Sequence, residues 1–204
     1  DMFSWNGVGE ASIRQGQSAL IKLRNQDSLA GCFSLTEDFS SGFVPRFNSV
    51  GEVAPKVLNI IDNGILRNTL VSSRTAKEYS LDSNYADDGE YLRSPKINPG
   101  DLKEDDILKN LDKGLYLSNL HYLNWSDNLG GRITGMTRYA CFWVENGEII
   151  APIENMRFDD SIYNFFGDNL ESVGENAEFI PSVGTYQERS LGGNMCPGIL
   201  LSSF

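Results

Sequence analysis

The side chains able to do chemistry in this sequence are few and scattered. The sole histidine, His121, sits in Leu120-His121-Tyr122, and the three cysteines, Cys32, Cys141 and Cys196, are widely spaced. A metal site built from histidines needs more imidazoles than the chain holds. A Ser-His-Asp relay would have to use His121, and no Gly-x-Ser-x-Gly elbow accompanies it. His121 therefore reads either as a strand histidine hydrogen-bonded in or near the core or as a donor facing a substrate. Arg138 lies on a strand flanked by aromatic residues. A buried guanidinium needs a partner, which makes Arg138 half of a structural ion pair or a carboxylate clamp. Cys196, in Gly193-Asn194-Met195-Cys196-Pro197, reads as a small buried apolar residue or as a thiolate metal ligand whose partners lie elsewhere. Gly7-x-Gly9 lacks the third glycine and the leading strand of a dinucleotide fingerprint. Asp87-Asp88 and Glu104-Asp105-Asp106 read as solvated loop and helix-cap charge, and Glu37-Asp38 as structural. No residue of the chain is assigned a catalytic role.

The elements that position these residues alternate short strands with tight turns. Residues 1–31 read as loop with a helical piece near 19–23, and 32–36 as a strand. Residues 57–61 and 65–71 flank Asp62-Asn63-Gly64, where Asn-Gly suits a type I′ hairpin turn because both central residues need positive φ. Ser72-Ser73 caps a helix over 74–79. The polar stretch 80–100 reads as a long surface loop, either functional or mobile. Asp101 caps a helix over 102–112, with acidic residues in its first turn, Lys109 and Lys113 near its end, and Gly114 as its stop. An aromatic-rich strand over 115–125 turns at 128–131. A second hairpin, 136–144 with 148–153, turns at Glu145-Asn146-Gly147. The spacing of Ile162, Phe165, Phe166, Leu170 and Val173 predicts a helix over 160–173. Short strands and glycine turns follow, ending in a strand over 199–204. Tight turns rather than helical crossovers give an α+β class. The picture is an antiparallel, β-rich sheet or open barrel with a few short helices, in one domain over 1–204.

Composition bounds the function classes. The chain has 204 residues and a formal net charge of −11, from 17 basic and 28 acidic residues. That balance argues against nucleic acid and against docking on an anionic membrane. A hydrophobic content of 40% with 11% aromatic residues is that of a folded domain. No apolar run is long enough for a membrane span. An odd set of dispersed cysteines suits reduced thiols in a reducing compartment. The chain opens at Asp1 and closes inside an apolar run, which predicts a fragment of a longer protein.

Three stretches then carry a family resemblance. They are Gly114-Leu115-Tyr116-Leu117, Thr134-Gly135-Met136-Thr137-Arg138, and Phe142-Trp143-Val144-Glu145-Asn146-Gly147-Glu148-Ile149 running into Pro152-Ile153-Glu154-Asn155. With Ile61-Asp62-Asn63-Gly64-Ile65-Leu66 and the Ser72-Ser73-Arg74-Thr75-Ala76-Lys77 that follows, they resemble, in order and spacing, the C-terminal half of the TldD/PmbA family. The resemblance covers most of 10–204. It implies a cytoplasmic protease of two related subunits that encloses unfolded or leader peptides, and an older label ties the family to modulation of DNA gyrase. In the catalytic subunit a His-Glu-x-x-x-His helix and a cysteine near the C-terminus hold zinc; the companion subunit lacks them.

Arg14-Gln15-Gly16-Gln17-Ser18 resembles the stretch after the family's metal motif. Counting back without gaps puts Asp1, Met2 and Asn6 where the first histidine, the glutamate and the second histidine would stand. Cys196 falls near the ligand cysteine. The resemblance therefore implies a companion-type C-terminal domain with no cofactor of its own. Zinc would belong to the family or to a partner subunit. The partners it implies are a homologous subunit and a peptide, with neither nucleic acid nor membrane. His121, Arg138 and Trp125 are the substrate-facing choices. The stripe Tyr116, Tyr122, Trp125, Tyr139 and Trp143 suits core packing, or subunit and extended-peptide contact. Two alternatives stay open: a zinc peptidase whose ligands lie upstream of Asp1, with Cys196 as third ligand, and a non-enzymatic module acting on a partner such as a topoisomerase.

Overall fold

The computed structural model describes residues 2–186 and 188–204. The chain forms two compact units, Asp1–Asn98 with Ala177–Cys196, and Pro99–Asn176 with Pro197–Phe204. Among the described residues strand outweighs helix, 40% against 17%, and no sheet closes into a barrel, as expected for an antiparallel-rich α+β fold.

In the first unit, β1 (Leu35–Asp38) pairs antiparallel with β2 (Val57–Asp62) and with β4 (Pro95–Ile97), while β2 pairs with β3 (Ile65–Leu66). The turn between β2 and β3 carries positive φ at Asn63 and Gly64, as the Asn-Gly pair predicts. Residues 193–196 of β10 (Gly193–Leu201) run parallel to β4 through Met195 and Lys96. Two short helices, α1 (Glu10–Arg14) and α2 (Ile21–Arg24), bury Ile13 and Leu23. The Ser72 hydroxyl accepts the Thr75 N–H at the start of α3 (Ser73–Tyr79), the predicted cap. Val8, Leu20, Phe33, Ile60 and Ile61 are fully buried at the centre of this unit.

The stretch 80–100 is not a surface loop throughout. Ala86, Glu90, Leu92 and Ser94 are buried, and the segment closes on β4. The Arg93 and Ser94 N–H groups are met by the buried Glu37 carboxylate and the Leu92 N–H by Ser4, long-range bonds that hydropathy cannot reveal.

In the second unit a long hairpin joins β5 (Gly114–Asp127) to β6 (Arg132–Glu145), which continues through a turn with positive φ at Asn146 and Gly147 into β7 (Glu148–Pro152). β8 (Arg157–Ser161) pairs with the first half of β6. Ile133, Gly135, Thr137, Cys141 and Val144 of β6 are buried. A Cβ on Gly135 would stand 2.7 Å from Leu123 and 2.8 Å from Phe158, so only glycine fits there.

Two helices are shorter than their spacing predicts. Over 160–173 the chain leaves β8, makes one wide π turn at Asn164–Asp168, and enters β9 (Leu170–Pro181). Ile162 and Phe165 are buried from the turn, and Leu170 and Val173 from the strand, so a turn and a strand together reproduce helical spacing. Over 102–112 a 3-10 turn, Glu104–Asp106, leads into α4 (Ile107–Leu111). Lys103 rather than Asp101 precedes it, and the left-handed stop is Asp112, whose carbonyl accepts the Gly147 N–H; Gly114 already belongs to β5. The final strand, expected over 199–204, starts earlier and ends at Leu201.

Candidate functional site

The register of the β5–β6 hairpin breaks at three places, at Ser118, at Tyr122–Leu123 and at Ser126, and the first two decide which side chains share a face. Leu117 pairs with Cys141 and Asn119 with Arg138, so Tyr139 and Ala140 oppose Ser118 alone. Further along, His121 pairs with Met136 and Asn124 with Thr134, so Tyr122 and Leu123 oppose Gly135 alone. In each of these two bulges the first residue adopts the left-handed conformation that normally calls for glycine: Tyr122 at φ 51° and Tyr139 at φ 67°. A non-glycine residue there carries roughly 1–2 kcal/mol of strain. Both rings are turned to solvent, 80% and 74% exposed, which corrects the core reading for these two members of the aromatic stripe, while Trp125 and Trp143 are half-buried.

Along this half of β6, buried Ile133 and Thr137 point inward, and Thr134, Met136 and Arg138 point to the opposite face. His121 pairs with Met136 and Asn119 with Arg138, so the structure brings His121 and Arg138 onto one face. Trp125 pairs with buried Ile133 and joins the inward row, away from the other two. Arg138 is half-buried; its Nε donates to Asn119 Oδ1 at 2.6 Å, and its guanidinium lies 4.5 Å from the Tyr139 ring centroid. His121 stacks at 4.6 Å against Tyr122. Arg157 of β8, opposite Met136, also stands on this face, its Nε donating to Thr134 Oγ1 at 3.3 Å. Sequence reasoning passed over Arg157, because only the pairing of β8 with β6 places it beside Arg138.

In the first unit, residues 2–7 form turns in which Met2 and Phe3 are buried and Trp5 is half-exposed. The Ser4 hydroxyl accepts the Leu92 N–H at 2.8 Å, fixing the turns against 89–92. Ser4, Trp5, Asn6, Gly89, Tyr91 and Leu92 line an open cleft of about 430 Å³.

Three buried carboxylates brace the same unit. Glu90 accepts the N–H groups of Ala11 and Ser72 at 2.8 and 2.9 Å. Glu10 binds Arg14 at 2.7 Å, Thr69 at 2.7 Å, and Arg24. Burial pushes the Glu10 carboxyl up, but Arg24, Thr69 and Arg14 outweigh it and hold it below the usual range. Glu37, on β1, accepts the Arg93 and Ser94 N–H groups at 2.9 and 3.2 Å, yet burial pushes its pKa up to about 7.

Cys196 is half-buried on β10, and burial raises its thiol above the ordinary value, which disfavours the thiolate a metal requires. All three cysteines are free thiols. Among the described residues no three His, Cys, Asp or Glu side chains converge to hold a metal ion, so these donors do not fit zinc. Of the three positions counted back to the metal motif, Asp1 lies outside the described residues, Met2 is in the core, and Asn6 is exposed with a positive φ.

The fold is shared with three crystal structures. A proposed modulator of a DNA gyrase from Thermotoga maritima matches with a TM-score of 0.78 at 16% identity, over 98% of this chain and 44% of that one. A second such proposed modulator, from Bacteroides thetaiotaomicron, gives 0.73 at 16% identity, over 95% and 40%. TldE from Thermococcus kodakarensis gives 0.72 at 17% identity, over 98% and 46%. The chain thus spans less than half the length of each. Among curated proteins there is no match to the sequence. The sequence profile of the PmbA/TldA metallopeptidase C-terminal domain covers residues 2–204, and the chain belongs to that family.

Proposed function

We propose that this chain is the C-terminal domain of a companion-type subunit, one that walls and contacts a peptide-processing assembly while a homologous subunit supplies the zinc and the general base. The observation that carries this reading is the chemistry at the motif positions. Met2 cannot accept a proton, and a neutral Asn6 amide is a poor substitute for imidazole. Loss of a general base alone costs roughly 10²–10⁴ in rate. The fold shared with TldE supports the same reading. The substrate is an unfolded or leader peptide, met by His121 and Arg138 on their shared face rather than by the inward Trp125, and the setting is cytoplasmic. Among the described residues no helix is long and apolar enough to cross a membrane.

The test is metal and activity analysis of the full-length protein. Purified alone, it is expected to hold far less than one zinc per chain and to leave unfolded peptides intact. With its homologous partner it is expected to cleave them. Near-stoichiometric zinc that disappears in Cys196→Ala would overturn the companion reading in favour of a zinc peptidase with upstream ligands. The descriptions of the Thermotoga and Bacteroides proteins favour a second reading, a module acting on a topoisomerase. Recovery of a topoisomerase without peptide cleavage would select it.

A further inference from the structure

We infer that the outer face of the β5–β6–β8 sheet, centred on Met136 and flanked by Arg138, Arg157 and His121, is a docking surface for an extended acidic peptide. The choice of a peptide as occupant rests on the proposed function; the choice of an acidic one rests on this face alone. His121, Met136 and Arg157 form one row across three strands, and Arg138 stands two residues beyond Met136 on the same face. Each flanking donor is then a diagonal neighbour of Arg138, about 7–8 Å away. Alternate side chains of an extended peptide are about 6.6–6.8 Å apart, so two acidic residues in alternation match that spacing.

The donors are free for such a partner. Arg138 and Arg157 bond through Nε to Asn119 and Thr134, which leaves their terminal nitrogens for a bidentate carboxylate. Neither takes part in an ion pair among the described residues. Of the acids on this face, Asp159 is held by Arg132 at 2.6 Å, and Asp127, opposite Arg132, accepts the Gly130 N–H at 3.0 Å. Two unneutralised guanidiniums stand out on a chain of net charge −11. The same charge balance repels a nucleic acid, whose phosphates would meet the rest of the surface.

The strained tyrosines add an independent observation. Each strand places a tyrosine directly after a basic residue, at a bulge position that asks for glycine, and leaves the ring exposed. If the bulges served shape alone, glycine there would be less strained. The rings instead offer apolar walls beside the guanidinium and the imidazole, against which the stems of acidic side chains pack.

The experiment uses the full-length protein and a fluorescein-labelled peptide of alternating glutamate and serine, compared with its glutamine–serine counterpart by anisotropy. The acidic peptide is expected to bind and the neutral one to bind far more weakly. Arg138→Gln and Arg157→Gln should each weaken binding roughly tenfold, and added salt should weaken it further. Tyr139→Gly relieves the left-handed strain, so it should leave the melting temperature unchanged or higher while binding falls. A purely structural tyrosine would not separate the two. Equal binding of both peptides would overturn the acidic preference and leave the peptide reading standing. Binding of neither would overturn both. Full binding in Arg138→Gln, or displacement of the peptide by inorganic phosphate or an oligonucleotide at comparable concentration, would also overturn it.

Discussion

Replacing Glu37 with glutamine should flatten one part of the stability–pH curve. The Glu37 carboxyl is 4% exposed on β1, and its pKa is pushed up to about 7, against an ordinary value of 4.5. The folded state therefore keeps this proton to higher pH than the unfolded chain does. Below about pH 4.5 both states are protonated and the group contributes no slope. From there to about pH 7 the unfolded chain ionises first, and stability falls as pH rises; above that both are ionised and the slope ends. The gap between the two values corresponds to roughly 3 kcal/mol. Glu37→Gln retains a carbonyl acceptor for the Arg93 and Ser94 N–H groups but cannot ionise, so it loses the slope. Glu10 and Asp38, both held below their usual range, lose their stabilisation at the acid end instead, which makes the difference between wild type and variant the quantity to read. Urea unfolding followed by tryptophan fluorescence from about pH 4.5 to about pH 8 measures it. A wild type and a variant with parallel curves would refute the reasoning.

Gly64→Ala should be severe, because φ is +77° there and the new Cβ would stand 2.2 Å from the Leu29 carbonyl oxygen. A loss of at least about 3 kcal/mol is expected in urea unfolding, and a fully stable variant would contradict the packing of that hairpin turn on residues 29–30. Ser72→Ala removes the oxygen that accepts the Thr75 N–H at 3.2 Å. The expected cost is about 1 kcal/mol, read as a lowered thermal midpoint.

What could be read from the sequence follows from how local the cause is. The two Asn-Gly turns and the Ser72 cap are decided within four residues, and all three form as read. The aromatic-rich strand over 115–125 and the turn at Asn128-Leu129-Gly130-Gly131 were legible, but the bulges at Tyr122 and Tyr139 were not. A bulge asks for glycine, and here the chain supplies Tyr122 and Tyr139. The helix expected over 160–173 failed for the opposite reason: Ile162, Phe165, Leu170 and Val173 are buried as predicted, from a different backbone. Among the site residues, His121 and Arg138 were chosen singly, and their shared face depends on a register that a one-residue slip would reverse. Arg157 and the burial of Glu37 depend on long-range pairing and leave no local signal.

Where the buried charges find their partners narrows what the rest can do. Glu90 and Glu37 bond backbone donors, and Glu10 is held between Arg14 and Arg24, so these acids are occupied in tying residues 9–11, 72 and 93–94 into the first unit. Arg93 is likewise committed, to the Phe47 carbonyl at 2.8 Å and to Asp87 at 3.7 Å. Removing any of them would leave buried donors or charges unmet, and the effect would read as lost stability rather than lost recognition. Arg138 and Arg157 are in the reverse position. Their guanidiniums hold no element together through an ion pair, and the tyrosine beside Arg138 is strained without gaining burial. Substitutions on this face should therefore separate binding from folding, which substitutions among the buried acids cannot do.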